Sequence, residues 1–243
     1  MRWKSGSWGV VIIRYAPVAP VLLMLRAVLC LGQPASIQLP PALSSPSGVA
    51  SQVDVERLRS GYSTVDWAAL EDGKIISSDV REASASASER TTAQATGIIR
   101  YPPAEVWAVL TDFESRPTYH ASTKAARIER VDGNRVWVAQ HLKFLWVNVR
   151  FRVIDTLEPE RGSVSWIMDE NAEHDIRDTH GSWQLAPVAE GRHTLVNYRA
   201  WLDTGKPVPG FVEKFMLNRS LPQMISGLRA EVGRRFGARG QHE

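Results

Sequence analysis

The residues best equipped for chemistry cluster between positions 169 and 180: Asp169, Glu170, Glu173, His174, Asp175, Asp178 and His180. Carboxylates and imidazoles are the ligand types of divalent cations. His174 and His180, however, would stand roughly 20 Å apart on an extended chain, so one straight strand cannot bring both to the same ion. The plainer reading is a solvated acidic loop, and no metal site is expected. His120 and His141 are candidate general bases if both open onto a common space, since proton transfer needs the base within hydrogen-bond reach of its proton. A lone histidine on a strand more often serves structure. Arg177 depends on register. Facing inward it suits a ligand carboxylate, phosphate or quinone oxygen; facing outward it is a surface arginine paired with Asp175 or Asp178.

Other chemistries are missing from the chain. It has no Gly-x-Ser-x-Gly elbow and no phosphate-cradling glycine loop. Its single cysteine, Cys30, lies in an apolar leader, which leaves the body without a nucleophilic cysteine, a disulfide framework or a zinc-ligand set. No cofactor is expected. The 243 residues carry a net charge of +3, but Arg2, Lys4, Arg14 and Arg26 of the first 35 residues supply four cations and no acid, so the remainder stands at −1. The basic balance is a property of the leader, and the body has no Lys/Arg stripe with interleaved aromatics that would suit nucleic acid.

The element that must organise any site is the last one. From Pro207 to Phe236, Phe211, Phe215, Leu221, Ile225, Leu228, Val232 and Phe236 recur mostly at intervals of three and four, giving one apolar helix side. Ser220-Leu221-Pro222-Gln223 reads as a capping box with the proline inside the first turn, which predicts a short helix to about Asn218 and a longer one from Leu221. Between residues 74 and 204 the pattern is mainly strand. Lys74 to Arg100 reads as two strands, or one long strand broken by a bulge or turn near Ser84 to Ser88, followed by a short helix around Val106, Trp107 and Leu110 and a turn or helix at Asp112-Phe113-Glu114. Strands are then predicted at Lys124–Val131, Arg135–Leu142, Val147–Leu157, Ser163–Met168, Ile176–Leu185 and His193–Leu202, with the strongest hairpin signal at Asp132-Gly133-Asn134. Short strands joined by tight turns imply a meander, and the class is α+β.

The leader pairs a charged start with an apolar run from Ala16 to Leu31, the pattern of a secretory signal. Arg26 within that run, and Pro17 and Pro20, oppose a stable spanning helix. A short membrane anchor and a true start at Met24 stay open, and Ala27-Val28-Leu29-Cys30 makes a poor lipoprotein box. Export to the periplasm or exterior is expected, with membrane association through residues 1–35. Residues 36–73 read as a linker: Gln33 to Gln52 as a flexible tether, then helical pieces at Val53–Arg59 and Val65–Leu70. The domain proper is 74–236 and the tail 237–243.

Several local phrases resemble a known family. Tyr101-Pro102-Pro103 followed by Val106-Trp107-Ala-Val-Leu110, Thr-Asp112-Phe113 and Tyr119 is similar to the segment "apxxvWxvltDfxxyp" of the START-like, or SRPBCC, superfamily. Gly181-Ser182-Trp183-Gln184-Leu185-Ala186-Pro187 resembles its "GxWxLxP" strand. The nearest branches look like the polyketide cyclase/dehydrase group and the coenzyme-Q-binding START-like proteins. The resemblance implies a helix-grip fold over residues 74–236: a curved antiparallel sheet wrapped around the C-terminal helix, with an apolar cavity between them. Family members hold lipids, sterols, isoprenoid quinones, plant hormones or polyketides there; a few catalyse cyclisation or dehydration, and fold alone does not choose.

Strand parity then nominates lining residues: Val164, Trp166 and Met168; Arg177, Thr179 and Trp183; Val196, Tyr198 and Ala200, opposite Phe211, Phe215 and Met216 of the helix. Tyr119, Gln140, Arg177 and Tyr198 would supply the few polar groups that orient a ligand in an apolar pocket. Trp107 and Trp183 also read as plain core. The expected function is binding and carrying or sensing a hydrophobic small molecule by a monomer. The alternative is a cyclase- or dehydratase-type enzyme in which His141, Arg177 and Tyr198 converge. A third, weaker reading is a module docking a protein or bilayer through Lys214, Arg219, Arg229, Arg234 and Arg235, a set that is ordinarily just a solvated helix face.

Overall fold

β-branched and aromatic side chains alternating with polar ones dominate residues 123–203, and eight antiparallel strands form one sheet. The structure, a computed structural model, describes residues 37–44, 63–82, 90–144, 147–205 and 219–237. The strands are β1 (Ile76–Glu82), β2 (Arg90–Ile99), β3 (Thr123–Asp132), β4 (Arg135–Phe144), β5 (Val147–Glu158), β6 (Ser163–Met168), β7 (Asp178–Val188) and β8 (His193–Asp203). Their order is β1-β2-β8-β7-β6-β5-β4-β3. From β3 to β8 every strand pairs with its neighbour in sequence, the expected meander. The β1–β2 hairpin departs from it: β2 lies on the far side, against β8. The chain between β2 and β3 carries three short helical segments and crosses from the β1–β2 side of the sheet to the opposite edge, where β3 lies.

Those helices are short. The helix around Trp107 runs Pro103–Leu110 and begins at a proline whose missing N–H is harmless in the first turn; a 3-10 turn at Phe113–Ser115 and one helical turn at Arg116–Tyr119 follow. Earlier in the chain are helices at Pro41–Ser44 and Thr64–Glu71. In chain order these are α1 (Pro41–Ser44), α2 (Thr64–Glu71), α3 (Pro103–Leu110), α4 (Arg116–Tyr119) and, closing the chain, α5 (Leu221–Phe236).

Strand alternation separates the faces. Phe151, Val153, Asp155 and Leu157 of β5 are buried on the inner side, whereas Ile167, between Trp166 and Met168 of β6, faces outward and is 54% exposed. α5 packs against α3, α4, β1 and β2 and buries Leu221, Ile225, Leu228 and Val232, the four described members of the predicted apolar side whose burial is complete; Phe236 is half-buried against the same core. Two glycines set its position. A Cβ on Gly97 of β2 would meet Ile225 Cγ2 at 2.9 Å, and a Cβ on Gly227 would overlap the carbonyl oxygen of Tyr119. α5 therefore crosses α4 in backbone contact.

Three local expectations are corrected. Ser220 is itself in right-handed helical conformation and its hydroxyl makes no capping bond, because the chain enters α5 through a wider turn at residues 219–220. Residues 37–44, assigned to the tether, are docked: Leu43 is buried and its carbonyl accepts the indole N–H of Trp107 at 2.9 Å. α2 likewise belongs to the domain, with Leu70 buried among Ile98, Ala186 and Leu195 on the outer face of the sheet. The predicted helix at Val53–Arg59, the short helix before Asn218, and the leader lie outside the described residues.

Candidate functional site: an ion pair buried among aromatic rings

Along β5 the inward positions are Phe151, Val153 and Leu157, with one carboxylate, Asp155, in the same series. The register places Asp155 between Val136 of β4 and Trp166 of β6, and Trp166 opposite Gly181 of β7. Gly181 has no side chain for a physical reason: a Cβ there would collide with the Trp166 ring and with the carbonyl oxygen of Arg199. Trp166 lies over that space and stacks on Tyr198 of β8, with ring centroids 5.8 Å apart and planes 20° apart. Trp183 leans on the other side of Tyr198 at 4.3 Å.

Arg116, at the start of α4, reaches this group from the opposite side. Its Nη2 donates to Asp155 Oδ1 at 3.0 Å, and its guanidinium lies over the Phe113 ring, 4.4 Å from the centroid. Asp155 is 0% exposed, and its second oxygen, Oδ2, has no hydrogen-bond partner among the described residues. Removing a carboxylate from water without satisfying both oxygens is costly. Burial pushes the Asp155 carboxyl up from its ordinary range, and the Arg116 cation opposes that rise.

Two phenols share the electrostatic surroundings of Arg116. Burial pushes the Tyr119 hydroxyl up to about 12, opposed by Arg116, and burial raises Tyr198 further, again against Arg116. Both are neutral hydrogen-bond donors at ordinary pH. Beside Tyr119, burial and then the charge of Arg116 bring His120 down to about 4, so its ring is neutral too; its Nδ1 lies 2.7 Å from Thr123 Oγ1. The arrangement is a buried interior with one nearly balanced ion pair, two phenols and one acceptor without a partner among the described residues. It is suited to grip a polar group on an otherwise apolar molecule.

The nominated residues fall into three sets. Tyr119, Trp166, Trp183 and Tyr198 all join the main core around this ion pair, and Gln140 shares the inward face of Val136 and Val138, half-buried. Val164, Met168, Thr179, Val196 and Ala200 take the predicted parity. Arg177 does not face the interior. β7 begins one residue later, at Asp178; Arg177 is exposed and donates to Asp203 Oδ2 and to the Gly205 carbonyl, both at 3.2 Å, so its acid is neither Asp175 nor Asp178. Phe211, Phe215 and Met216 lie outside the described residues.

His141, Arg177 and Tyr198 do not converge. His141 is on the outward series of β4 and contacts Asn148 Oδ1 at 3.2 Å across the hairpin. The acidic stretch has other work: Asp169 accepts from Arg152 Nε, Asp175 from the Arg150 amide, and His180 stacks on Trp201 at 4.8 Å. Arg116 and Asp155 were not nominated. The available signal was a carboxylate at an inward position of an apolar strand, where a charge needs a partner.

Residues 90–233, more than half of the chain, match the family described as polyketide cyclase / dehydrase and lipid transport. Solved structures share the fold at low identity. The Zhui aromatase/cyclase from Streptomyces sp. R1128 is 18% identical, with a TM-score of 0.52 over 61% of this chain and 97% of that one. A STAR-related lipid transfer protein from Xanthomonas axonopodis is 15% identical, with a TM-score of 0.52 over 64% of this chain and 98% of that one. Human STARD10 is 13% identical, with a TM-score of 0.54 over 87% of this chain and 86% of that one. No curated protein matches.

Proposed function

Because the chain belongs to the polyketide cyclase / dehydrase and lipid transport family within the START-like superfamily, we propose that it binds and carries, or senses, a hydrophobic small molecule held in a cavity between the sheet and α5. The observation that carries this reading is the open Asp155 Oδ2 beside Arg116, fully buried on the sheet face that also carries Trp166, Trp183 and Tyr198. A ligand hydroxyl can donate to that oxygen while its own oxygen accepts from Arg116 or a tyrosine, and the aromatic walls take the apolar body. The ion pair, nearly neutral as a unit, favours a hydroxyl or carbonyl over a free carboxylate, which would face Asp155 at close range.

Native mass spectrometry and solvent extraction of the purified full chain test the proposal. A co-purifying or loadable apolar ligand of the lipid, isoprenoid or polyketide kind is expected, held at least tenfold less tightly by Asp155→Asn. Repeated failure to find or load any such molecule overturns it. Export or membrane tethering through residues 1–35 belongs to the same reading and is tested by cell fractionation.

A cyclase- or dehydratase-type reading rests on the same groups. Tyr119 and Tyr198, kept neutral by burial beside a cation, are placed to donate to a ligand oxygen on which negative charge develops. Recovery of a bound molecule unchanged after prolonged incubation supports carriage; its conversion supports catalysis.

A further inference from the structure

A pocket lies on the outer face of the sheet, away from the ion pair. α2 rests on the outer face through Leu70, and where it meets the β7–β8 turn it leaves a pocket of about 650 Å³ lined by Trp67, Glu71, Ile98, Arg100, Val188, Ala189 and His193. That volume is in the range of small-molecule sites. One wall is apolar, formed by Ile98, Val188, Ala189 and the Trp67 ring.

The other wall is polar, with Glu71, Arg100 and His193. Arg100 Nη2 donates to the carbonyl oxygen of Glu71 at the end of α2, at 3.1 Å. The Glu71 carboxylate accepts from Trp67 Nε1 at 2.7 Å rather than from Arg100. Behind it Arg229 of α5 donates to the carbonyls of Gly73 and Ile98, at 3.0 and 2.9 Å, and feels the charge of Arg100. Among the described residues no carboxylate lies within ion-pair distance of either guanidinium. Both guanidiniums are thus tied to backbone carbonyls rather than to an acid, and Arg100 is the one that lines the pocket, where it can turn a donor toward an anion.

The rim is also strained. Ala189 and Glu190 both hold left-handed conformations, φ 50° and 59°, ahead of Gly191 at 82°. Side chains other than glycine adopt this region at a cost on the order of 1 kcal/mol each, and such strain concentrates at binding sites.

We propose that this outer pocket is a second binding site, for a small aromatic carboxylate whose ring lies on the Ile98–Val188 wall and whose anionic oxygens meet Arg100. It does not depend on what the interior holds.

The test uses the full chain and 2-naphthoate. Calorimetric titration at low salt is expected to give saturable binding that is at least tenfold weaker for the neutral 2-naphthamide and for Arg100→Gln, and tighter for Glu71→Gln. Amide NMR spectra, which also verify that each variant is folded, are expected to shift at Glu71, Arg100, Ala189 and His193. Three results overturn the proposal: no saturation up to about 10 mM, the edge of meaningful affinity; unchanged binding in Arg100→Gln; or shifts confined to Trp166, Trp183 and Tyr198.

Discussion

Arg116 and Asp155, 39 residues apart in sequence, meet at 3.0 Å in the interior, and among the described residues only one of the two Asp155 oxygens is used. A buried ion pair is a poor contributor to net stability but an expensive one to break on one side. Asp155→Leu and Arg116→Met should each destabilise the fold by about 3–5 kcal/mol, whereas the double replacement Arg116→Met, Asp155→Leu should recover most of that loss. Urea denaturation of the four proteins in a double-mutant cycle measures this. The double variant should at the same time lose the interior ligand, which separates a binding role from a structural one.

Gly181 is needed by the Trp166 ring. Gly181→Ala should force that ring off Tyr198, at a cost of about 1–3 kcal/mol for overpacking. Thermal unfolding and near-ultraviolet circular dichroism report both the stability and the lost stacking. An unchanged aromatic signal would show that Trp166 has another place to go.

The His120 ring is held near 4 against an unperturbed 6.5. Between those values the unfolded chain binds a proton that the folded protein does not, so stability present above pH 6.5 is lost as pH falls toward 4. The full swing is on the order of 3 kcal/mol. His120→Gln should flatten the stability profile in that window, as read by chemical denaturation at stepped pH.

Glu231 behaves in a lower window. Hydrogen bonds from Arg234 and then Arg235 hold its carboxyl at about 2, against an ordinary 4.5, despite its burial. Stability present above pH 4.5 is lost as pH falls toward 2. Because Arg234 is largely exposed, the contribution is about 1 kcal/mol after screening. Glu231→Gln should remove this acid-side slope and leave the His120 window intact. It should also loosen the end of α5, which Arg235 ties to Asp112 at 2.8 Å; hydrogen exchange in the last two turns measures that.

Ser220 offers a contrast. Its hydroxyl makes no capping bond, so Ser220→Ala should change stability by under about 0.5 kcal/mol, where a working cap is worth about 1. Thermal unfolding decides it.

The elements and their faces are legible in local patterning. Alternation at period two marks which side of each strand is inward, the side on which Val164, Trp166, Trp183 and Tyr198 join the core, and spacing of three and four marks Leu221, Ile225, Leu228 and Val232 on α5. These signals are local, because each is read from side chains a turn or a pleat apart. Where strands begin and what they pair with is not local. A start of β7 at Asp178 rather than Ile176, two residues later, left Arg177 outside, bonded to Asp203, which only the β7–β8 register brings near. Arg116 could be matched to Asp155 only once the chain had crossed the sheet between β2 and β3. The same holds for Trp107 and Leu43, and for the two arginines behind the outer pocket. In each case the partners are set by which surfaces the whole fold buries together, a choice made by long-range packing that no single stretch of sequence encodes.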